Sequence, residues 1–136
     1  MAVVVLTDAD VVINAVNLSD HVRQVTVNLT RDDKGLTAMG ASGKARRAGL
    51  ADDSFTVEFN QDYAAANVDA TFFPLLGAAP FTVTVKATSA AKSATNPSYE
   101  GSCILTDYNP VDGNVGDELT TSVSLPVDGI ITRVTS

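Results

Sequence analysis

Residues 52–77 read DDSFTVEFNQDYAAANVDATFFPLLG, and this stretch decides the fold that we predict for the whole chain. Its first half alternates, with Phe55, Val57 and Phe59 on one face and polar residues on the other. A period of two is typical of a strand with one buried face. Its second half carries apolar residues at helical spacing and ends at Gly77. The stretch therefore predicts a strand followed by one helix that covers the open face of a sheet.

The predicted helix has two plausible first residues and an interruption. Asp62 and Asp69 are both of a type that caps helix N-termini. Pro74 lacks a backbone N–H and its ring clashes with the preceding turn. We therefore expect a short or broken helix that ends at Gly77.

Most of the remaining chain alternates like strands. The further predicted strands are residues 2–6, 10–13, 22–30, 81–87, 98–108, 119–125 and 130–135. About seven or eight strands with one helix are too many strands for a parallel α/β sheet. The 136 residues therefore predict a single, mainly β domain, an antiparallel β-sandwich or partly open barrel with one flanking short α-helix.

Residues 31–52 form the exception, because they show no hydrophobic period and contain four glycines. We expect a long inter-strand loop, and loops of this length in a compact domain tend to be functional or disordered. The stretch from Arg31 to Arg47 holds five basic and two acidic residues, a net of +3, in a chain whose net charge is −7. A solvated basic loop and a basic contact on an acidic body are both compatible with this pattern.

The polar positions of the predicted strands carry mainly small hydroxyl and amide side chains. They are Gln24, Thr26, Asn28, Ser54, Thr56, Glu58, Thr82, Thr84, Thr120 and Ser122. An ordinary solvated sheet face has this composition, since threonine is a favoured strand residue. The alternative interpretation is a smooth polar wall that does not adhere to a molecule moving past it.

The sequence offers no catalytic constellation. His21 is the only histidine, and Cys103 is the only cysteine and lies in a predicted strand without a histidine close in sequence. Four acidic residues flank a glycine-rich turn without the alternating oxygen-ligand spacing of a calcium loop: Asp107, Asp112, Asp117 and Glu118. The net charge of −7 also argues against a general nucleic-acid binder. We expect no enzyme, no metal site and no cofactor.

Several segments in this order carry a resemblance to a known family. They read VNLSDHV from residue 16, VEFNQD from 57, DATFFPLLG from 69, FTVTVKATSA from 81, NPSYEGSCILTDYNP from 96 and TTSVSLPVDG from 120. With the glycine-rich loop between the first two, the chain resembles the tail tube (major tail) proteins of long-tailed bacteriophages. The resemblance spans about residues 13–134 and rests on pattern rather than on a catalytic motif.

The resemblance implies a structural virion protein that forms stacked hexameric rings, the phage tail tube, through which DNA is delivered. It implies a tape-measure protein and DNA in the lumen, tail-tip and tail-terminator proteins at the ends, no membrane partner, and assembly in the host cytoplasm. The long loop would reach the neighbouring ring. Its implied contact residues are Arg31, Lys34, Leu36, Met39, Lys44, Arg46, Arg47 and Leu50. The ten polar strand residues named above would be the candidate lumen face.

Two other interpretations stay open. A head decoration protein or other virion β-domain would form a discrete oligomer that does not stack. A non-phage binding module would usually expose aromatic residues for sugar stacking, yet this chain has no Trp, three Tyr and five Phe.

Overall fold

The computed structural model describes residues 5–65 and 67–135, which form ten strands and one short α-helix. The strands are β1 (Asp10–Ile13), β2 (Val16–Asn17), β3 (Val22–Asn28), β4 (Arg31–Gly35), β5 (Arg46–Ala51), β6 (Ser54–Asn60), β7 (Phe81–Lys86), β8 (Ser98–Cys103), β9 (Thr120–Pro126) and β10 (Thr132–Val134). Helix α1 is Val68–Phe72, and 3₁₀ turns lie at Ser19–His21 and Phe73–Leu75.

The strands form two main sheets and one separate hairpin. One sheet has the order β10-β8-β7-β1-β2, the second has the order β3-β6-β9, and β4 pairs with β5. All of these pairings are antiparallel. The prediction of a mainly β, antiparallel sandwich with one short helix is confirmed, and the sheets do not close into a barrel.

The core lies between the two main sheets. Phe55, Val57 and Phe59 on β6 are fully buried, as their alternation predicts. The five-stranded sheet contributes mainly aliphatic side chains from β1 and β7 to the same cluster. Phe72 of α1 is also fully buried, with its ring centroid 5.3 Å from that of Phe59. The helix therefore covers part of the core, as the sequence predicts.

The start of the helix differs from the prediction. Asn67 occupies the N-cap position without a side-chain capping bond, so neither Asp62 nor Asp69 is the cap. The Asp62 carboxylate instead accepts hydrogen bonds from the Ala64 N–H and the Asn67 side chain, which shapes the turn before the helix.

The helix is short and broken as predicted, because α1 ends at Phe72 and a 3₁₀ turn containing Pro74 follows it. Gly77, with a φ of +73°, comes directly after Leu76, the C-cap of that turn.

Several predicted strand boundaries also need correction. Residues 2–4 of the predicted strand 2–6 lie outside the described residues, and residues 5 and 6 are not in a strand. Of the predicted strands 22–30 and 98–108, the first ends at Asn28 and the second at Cys103.

The largest difference lies in residues 31–52, which were predicted to be an irregular loop. They contain the antiparallel hairpin β4–β5, and residues 36–45 form its tip. All five residues of β4 are exposed, and none of the residues of β5 is buried. A hairpin whose two faces are both exposed to solvent needs no alternation of apolar and polar residues, so its sequence lacks the pattern by which strands are predicted.

Candidate assembly surfaces

The hairpin of residues 31–51, hereafter the arm, continues the path of β3 and β6 beyond the sandwich. At the junction, the Asp52 N–H donates to the Thr30 carbonyl at 2.9 Å. Five strand residues span about 16 Å at 3.3 Å each, so β4 and β5 carry the tip well away from the core. The arm is therefore a projecting two-stranded ribbon on the end of the three-stranded sheet.

The structure places all eight predicted contact residues on the arm. Three of them are apolar and solvent-exposed, with relative exposures of 54% for Leu36, 103% for Met39 and 80% for Leu50. Among the cations, Arg46 lies 3.2 Å from Asp33 and Lys34 lies 3.8 Å from Asp32.

Two cations of the arm are left without a carboxylate partner. Within the part of the chain that the structure describes, Lys44 and Arg47 form no ion pair. The arm therefore offers both apolar side chains and unpaired positive charge to solvent.

Arg31 has a different position from the other arm cations, because it contacts a buried carboxylate at the root of the arm. Its guanidinium donates to Asp53 Oδ1 at 2.6 Å, and the Asp53 side chain has no exposed surface. The same carboxylate accepts the N–H groups of Thr30 at 3.0 Å and of Ile131 at 2.9 Å. Asp53 thus joins the start of the arm to the segment that leads into β10.

The charge of Asp53 is stabilised by this arrangement. Burial alone favours the neutral acid, but the N–H groups of Ile131 and Thr30 and the guanidinium of Arg31 outweigh it and lower the pKa of Asp53. Sequence analysis missed this residue. The available signal was its position, because Asp53 is in phase with Phe55 and Phe59 and therefore faces the core.

Eight of the ten predicted face residues share the outer face of the β3-β6-β9 sheet. Across the three strands, Gln24 pairs with Glu58, and Glu58 pairs with Ser122. The same face carries Thr26, Asn28, Ser54, Thr56 and Thr120. Thr82 and Thr84 lie on β7 in the other sheet, with Val83 between them buried in the core. They therefore belong to the opposite outer face of the sandwich, and the structure does not bring all ten together.

The shared polar face is close to neutral. Glu58 is its only acidic side chain among these eight residues, and it lies 3.9 Å from the guanidinium of Arg23. The net charge of −7 therefore has its main origin elsewhere on the chain.

Four acidic residues lie in the segment between β8 and β9: Asp107, Asp112, Asp117 and Glu118. The later part of this segment lies at the end of the three-stranded sheet that is opposite the arm. The end of β6 pairs there with the start of β9, and the Gln61 N–H donates to the Leu119 carbonyl. The Tyr63 hydroxyl donates to the Pro110 carbonyl at 2.6 Å, and the Tyr108 hydroxyl donates to Asp69 at 2.9 Å. These bonds fix residues 108–110 against the sandwich, whereas residues 111–118 are all exposed.

His21 and Cys103, the two residues considered for catalysis, lie in environments that suit a structural role. His21 Nε2 lies 2.9 Å from Asp62 Oδ2, and His21 Nδ1 has no hydrogen-bond partner among the described residues. Backbone donation from Ala64 and the His21 contact lower the pKa of Asp62. Cys103 is fully buried, and burial raises the pKa of its thiol to about 12. A thiol with this pKa is a poor nucleophile near neutral pH.

The described residues also contain no group of three or more His, Cys, Asp or Glu side chains that is arranged to hold a metal ion. In residues 5–65 and 67–135, no helix has the length and apolar character needed to cross a membrane.

Known proteins resemble the chain in structure but not in sequence. No protein-family model matches it, and no curated protein does. A chain in the cryo-EM structure of an extracellular contractile injection system, the PVC sheath/tube terminator in the extended state, superposes with a TM-score of 0.74 at 10% identity, covering 98% of this chain and 97% of that one. A chain in the virion of a native gene transfer agent (GTA) particle gives 0.68 at 13% identity, with coverages of 93% and 95%.

A third structure is the tail of the empty GTA particle, obtained by helical refinement with C6 symmetry. One of its chains gives a TM-score of 0.63 at 15% identity, covering 85% of this chain and 83% of that one. These three chains come from a virion, a tail and a sheath/tube terminator, and at 10–15% identity their likeness to this chain is one of fold. The resemblance to tail-tube proteins is thus confirmed at the level of fold.

Proposed function

We propose that this chain is a tail-tube subunit that forms hexameric rings, and that the rings stack into a tube. The single observation that carries the proposal is the arm, a projecting ribbon with exposed Leu36, Met39 and Leu50 on a fold shared with tail and sheath–tube assemblies. Two-stranded ribbons are marginally stable alone in water. A contact with a neighbouring ring would give these side chains a surface to bury against.

Ring formation needs contacts between copies within one ring, and the sheet edges are suited to this role. Strands β3 and β9 are the edges of the three-stranded sheet, and β2 and β10 are the edges of the five-stranded sheet. Unpaired edges invite pairing with another chain. Pairing of non-identical edges is a heterologous contact, which closes into a ring when the rotation between copies is suitable. Six copies per ring are consistent with the C6 symmetry of the GTA tail.

The lumen face in this proposal is the polar outer face of the β3-β6-β9 sheet. The arm extends the same sheet, so a stacking direction along these strands places this face parallel to the tube axis. The face carries small hydroxyl and amide side chains and one Glu58–Arg23 pair, without an excess of basic residues. Because DNA binding is dominated by cation–phosphate contacts, such a wall would let DNA pass without adhering.

The proposed partners follow from the tube. They are further copies of this chain, a tape-measure protein and then DNA in the lumen, and tail-tip and tail-terminator proteins at the two ends. The proposed location is the virion tail, with assembly in the host cytoplasm.

The fold neighbours favour one variation of this proposal. Two of the matching chains come from an extracellular contractile injection system rather than from a gene transfer agent. The tube of an injection system is therefore a second candidate, and it shares the ring and the stacking with the first.

The experiment that tests the proposal is negative-stain electron microscopy of the purified protein over a range of concentrations. We expect rings with a central hole and, at higher concentration, tubes built from them. A monodisperse monomer at every concentration, even with a tail-tip complex added as initiator, would contradict it. A closed oligomer that never stacks would instead favour a head decoration protein or another virion β-domain.

A further inference from the structure

The arm and residues 108–118, the later part of the segment between β8 and β9, lie at opposite ends of one sheet. Strand β6 begins at Ser54 beside the arm and ends at Asn60 beside Thr120 of β9. Seven residues separate the two ends by about 20 Å. A second copy displaced along the strand direction would therefore bring its own arm to the far end of the first. Such a contact does not close on itself, so it repeats from ring to ring.

The far end presents a distinct surface, hereafter the far-end surface. It consists of Tyr63, Asp107, Val111, Asp112, Val115, Asp117 and Glu118. Its apolar members are well exposed, with relative exposures of 53% for Tyr63, 76% for Val111 and 108% for Val115. No basic residue occurs from 106 to 119, and none of the four carboxylates forms an ion pair within the described residues.

The arm carries the complementary features. Lys44 and Arg47 are unpaired cations, and Lys34 lies directly opposite Arg47 across the two strands. Like charges in directly opposite positions destabilise an antiparallel pair, so this part of the arm is stabilised by an approaching anionic surface. Leu36 and Met39 at the tip add exposed apolar area. Both surfaces thus combine apolar side chains with unpaired charge, and the charges have opposite sign.

We propose that the far-end surface is the acceptor for the arm of a second copy of this chain in the next ring. This inference rests on the proposed stacking of rings and names the surface on which the arm docks. Charge complementarity sets the register and direction of the contact, and the apolar side chains of both surfaces become buried when the rings meet. The pairing also gives the tube a direction, because every arm points the same way.

Charge reversal tests the pairing with a built-in rescue. The far-end variant combines Asp112→Lys with Asp117→Lys, the arm variant combines Lys44→Glu with Arg47→Glu, and the double variant carries all four changes and keeps the net charge of −7. All four positions are exposed, so folding should be unaffected. The matched control is Asp8→Lys with Asp128→Lys, two exposed acidic residues outside the far-end surface.

Stacking is measured as the fraction of protein in tubes, by sedimentation and electron microscopy. Like charges that face each other across a contact weaken it, so we expect the far-end and arm variants each to raise the concentration needed for stacking at least about tenfold. The double variant should return to within about threefold of the wild type, and the control should match the wild type. Rings that stack normally in the far-end variant, or no rescue in the double variant, would overturn the acceptor assignment while leaving ring formation intact.

Cross-linking tests the same contact independently of tube formation. The variant Met39→Cys with Val115→Cys, treated with a short bismaleimide, should give a ladder of linked chains. The control Met39→Cys with Thr82→Cys should give at least about fivefold less. Native Cys103 does not interfere, because it is buried and its thiol pKa is about 12. Equal ladders, or no ladder in either variant, would overturn the proposal. A ladder without rings would support the contact and count against the proposed hexameric tube.

Discussion

The inner and outer halves of one long hairpin differ in what surrounds them. In the inner half, β3 pairs with β6, and the core buries Phe55, Val57 and Phe59 of β6 completely. In the outer half, β4 pairs with β5, and β4 is exposed throughout. The backbone pairing is similar, but only the inner half is stabilised by burial within the chain. The comparison supports the proposal that the arm docks on a partner outside the chain.

The junction between the halves explains how an arm with no buried face keeps its direction. Asp53 receives hydrogen bonds from Thr30, Arg31 and Ile131, and its own carbonyl accepts the Val127 N–H at 3.0 Å. The start of the arm is therefore connected to Val127, directly after β9, and to Ile131, directly before β10. The root, rather than the ribbon, fixes the arm relative to the sandwich.

The largest expected effect comes from removing an aromatic side chain in the inner half. Phe59→Ala should lower the free energy of unfolding by about 3–5 kcal/mol, because it leaves a cavity in a well-packed core. Phe59 is fully buried and its ring contacts that of Phe72. Urea unfolding followed by circular dichroism measures the change.

The matched control is Leu50→Ala in the outer half, at a side chain that is 80% exposed. It should change the free energy of unfolding by less than about 0.5 kcal/mol. If both substitutions cost the same, the contrast between the two halves is wrong.

The same contrast determines how far the fold could be predicted from the sequence. The strand of residues 54–60 was found because burial of one face imposes a period of two on Phe55, Val57 and Phe59. The sequence did not predict the hairpin β4–β5, because both of its faces are exposed to solvent and nothing there requires apolar and polar residues to alternate. The helix start was missed because Asp62 stabilises the preceding turn instead of capping the helix, which depends on contacts that a local pattern does not contain.

A second, smaller effect is expected at the root. Asp53→Ala leaves the N–H groups of Thr30 and Ile131 without their acceptor. The Ile131 N–H is buried, and an unsatisfied buried donor costs about 1–3 kcal/mol, whereas exposed Thr30 can bond to water instead. We therefore expect a loss of about 1–3 kcal/mol in the free energy of unfolding. Calorimetry and chemical denaturation check this value, with the exposed neighbour Asp52→Ala as the control. A cost equal to that of the control would mean that Asp53 does not hold the root.

Three carboxyl groups, one of them at the root of the arm, allow us to predict how the stability of the fold depends on pH. Hydrogen bonds to the charged forms lower the pKa values of Asp53, Asp62 and Glu100 in the folded state. Glu100 lies on β8, and its carboxylate accepts from the Lys92 ammonium at 2.9 Å and the Ser98 hydroxyl at 2.7 Å. Unfolded carboxyls titrate near about 4, so the unfolded state binds more protons below that pH. The stabilisation is therefore complete above about pH 5 and is lost as pH falls through the lower folded pKa values.

Unfolding free energies measured from pH 7 down to pH 2 check this direction. Asp53→Asn removes one of the three carboxyls, so its curve should fall less steeply below pH 4 than that of the wild type. A wild-type stability that rises on acidification would contradict the assignment.

The candidate surfaces were only partly predictable, for a related reason. Their composition is visible in the sequence, so the basic arm and the acidic turn residues could be recognised. Their placement is not, because it depends on strand pairing. Thr82 and Thr84 are threonines at polar strand positions, as Thr26 and Thr56 are, but they belong to the other sheet. Arg31 stays a predicted contact residue, and its bond to Asp53 at the root could not be read from the sequence because the two residues meet only through strand pairing.

The smallest effect on stability, and a complete effect on assembly, is expected from shortening the arm. Asp33 and Ala48 are paired across β4 and β5, so replacing residues 34–47 with Asn-Gly gives a two-residue hairpin turn of a favoured type. The free energy of unfolding should change by less than about 1 kcal/mol, since the deleted residues bury no side chain in the core. Rings should form, because the sheet edges are intact, but they should not stack. The matched control replaces residues 94 and 95, an exposed turn outside both the arm and the far-end surface, with Asn-Gly, and it should stack like the wild type. If the shortened chain forms long tubes, the arm is not the stacking contact; if it fails to fold, the arm belongs to the same cooperative unit as the inner half, and the contrast between the two halves fails.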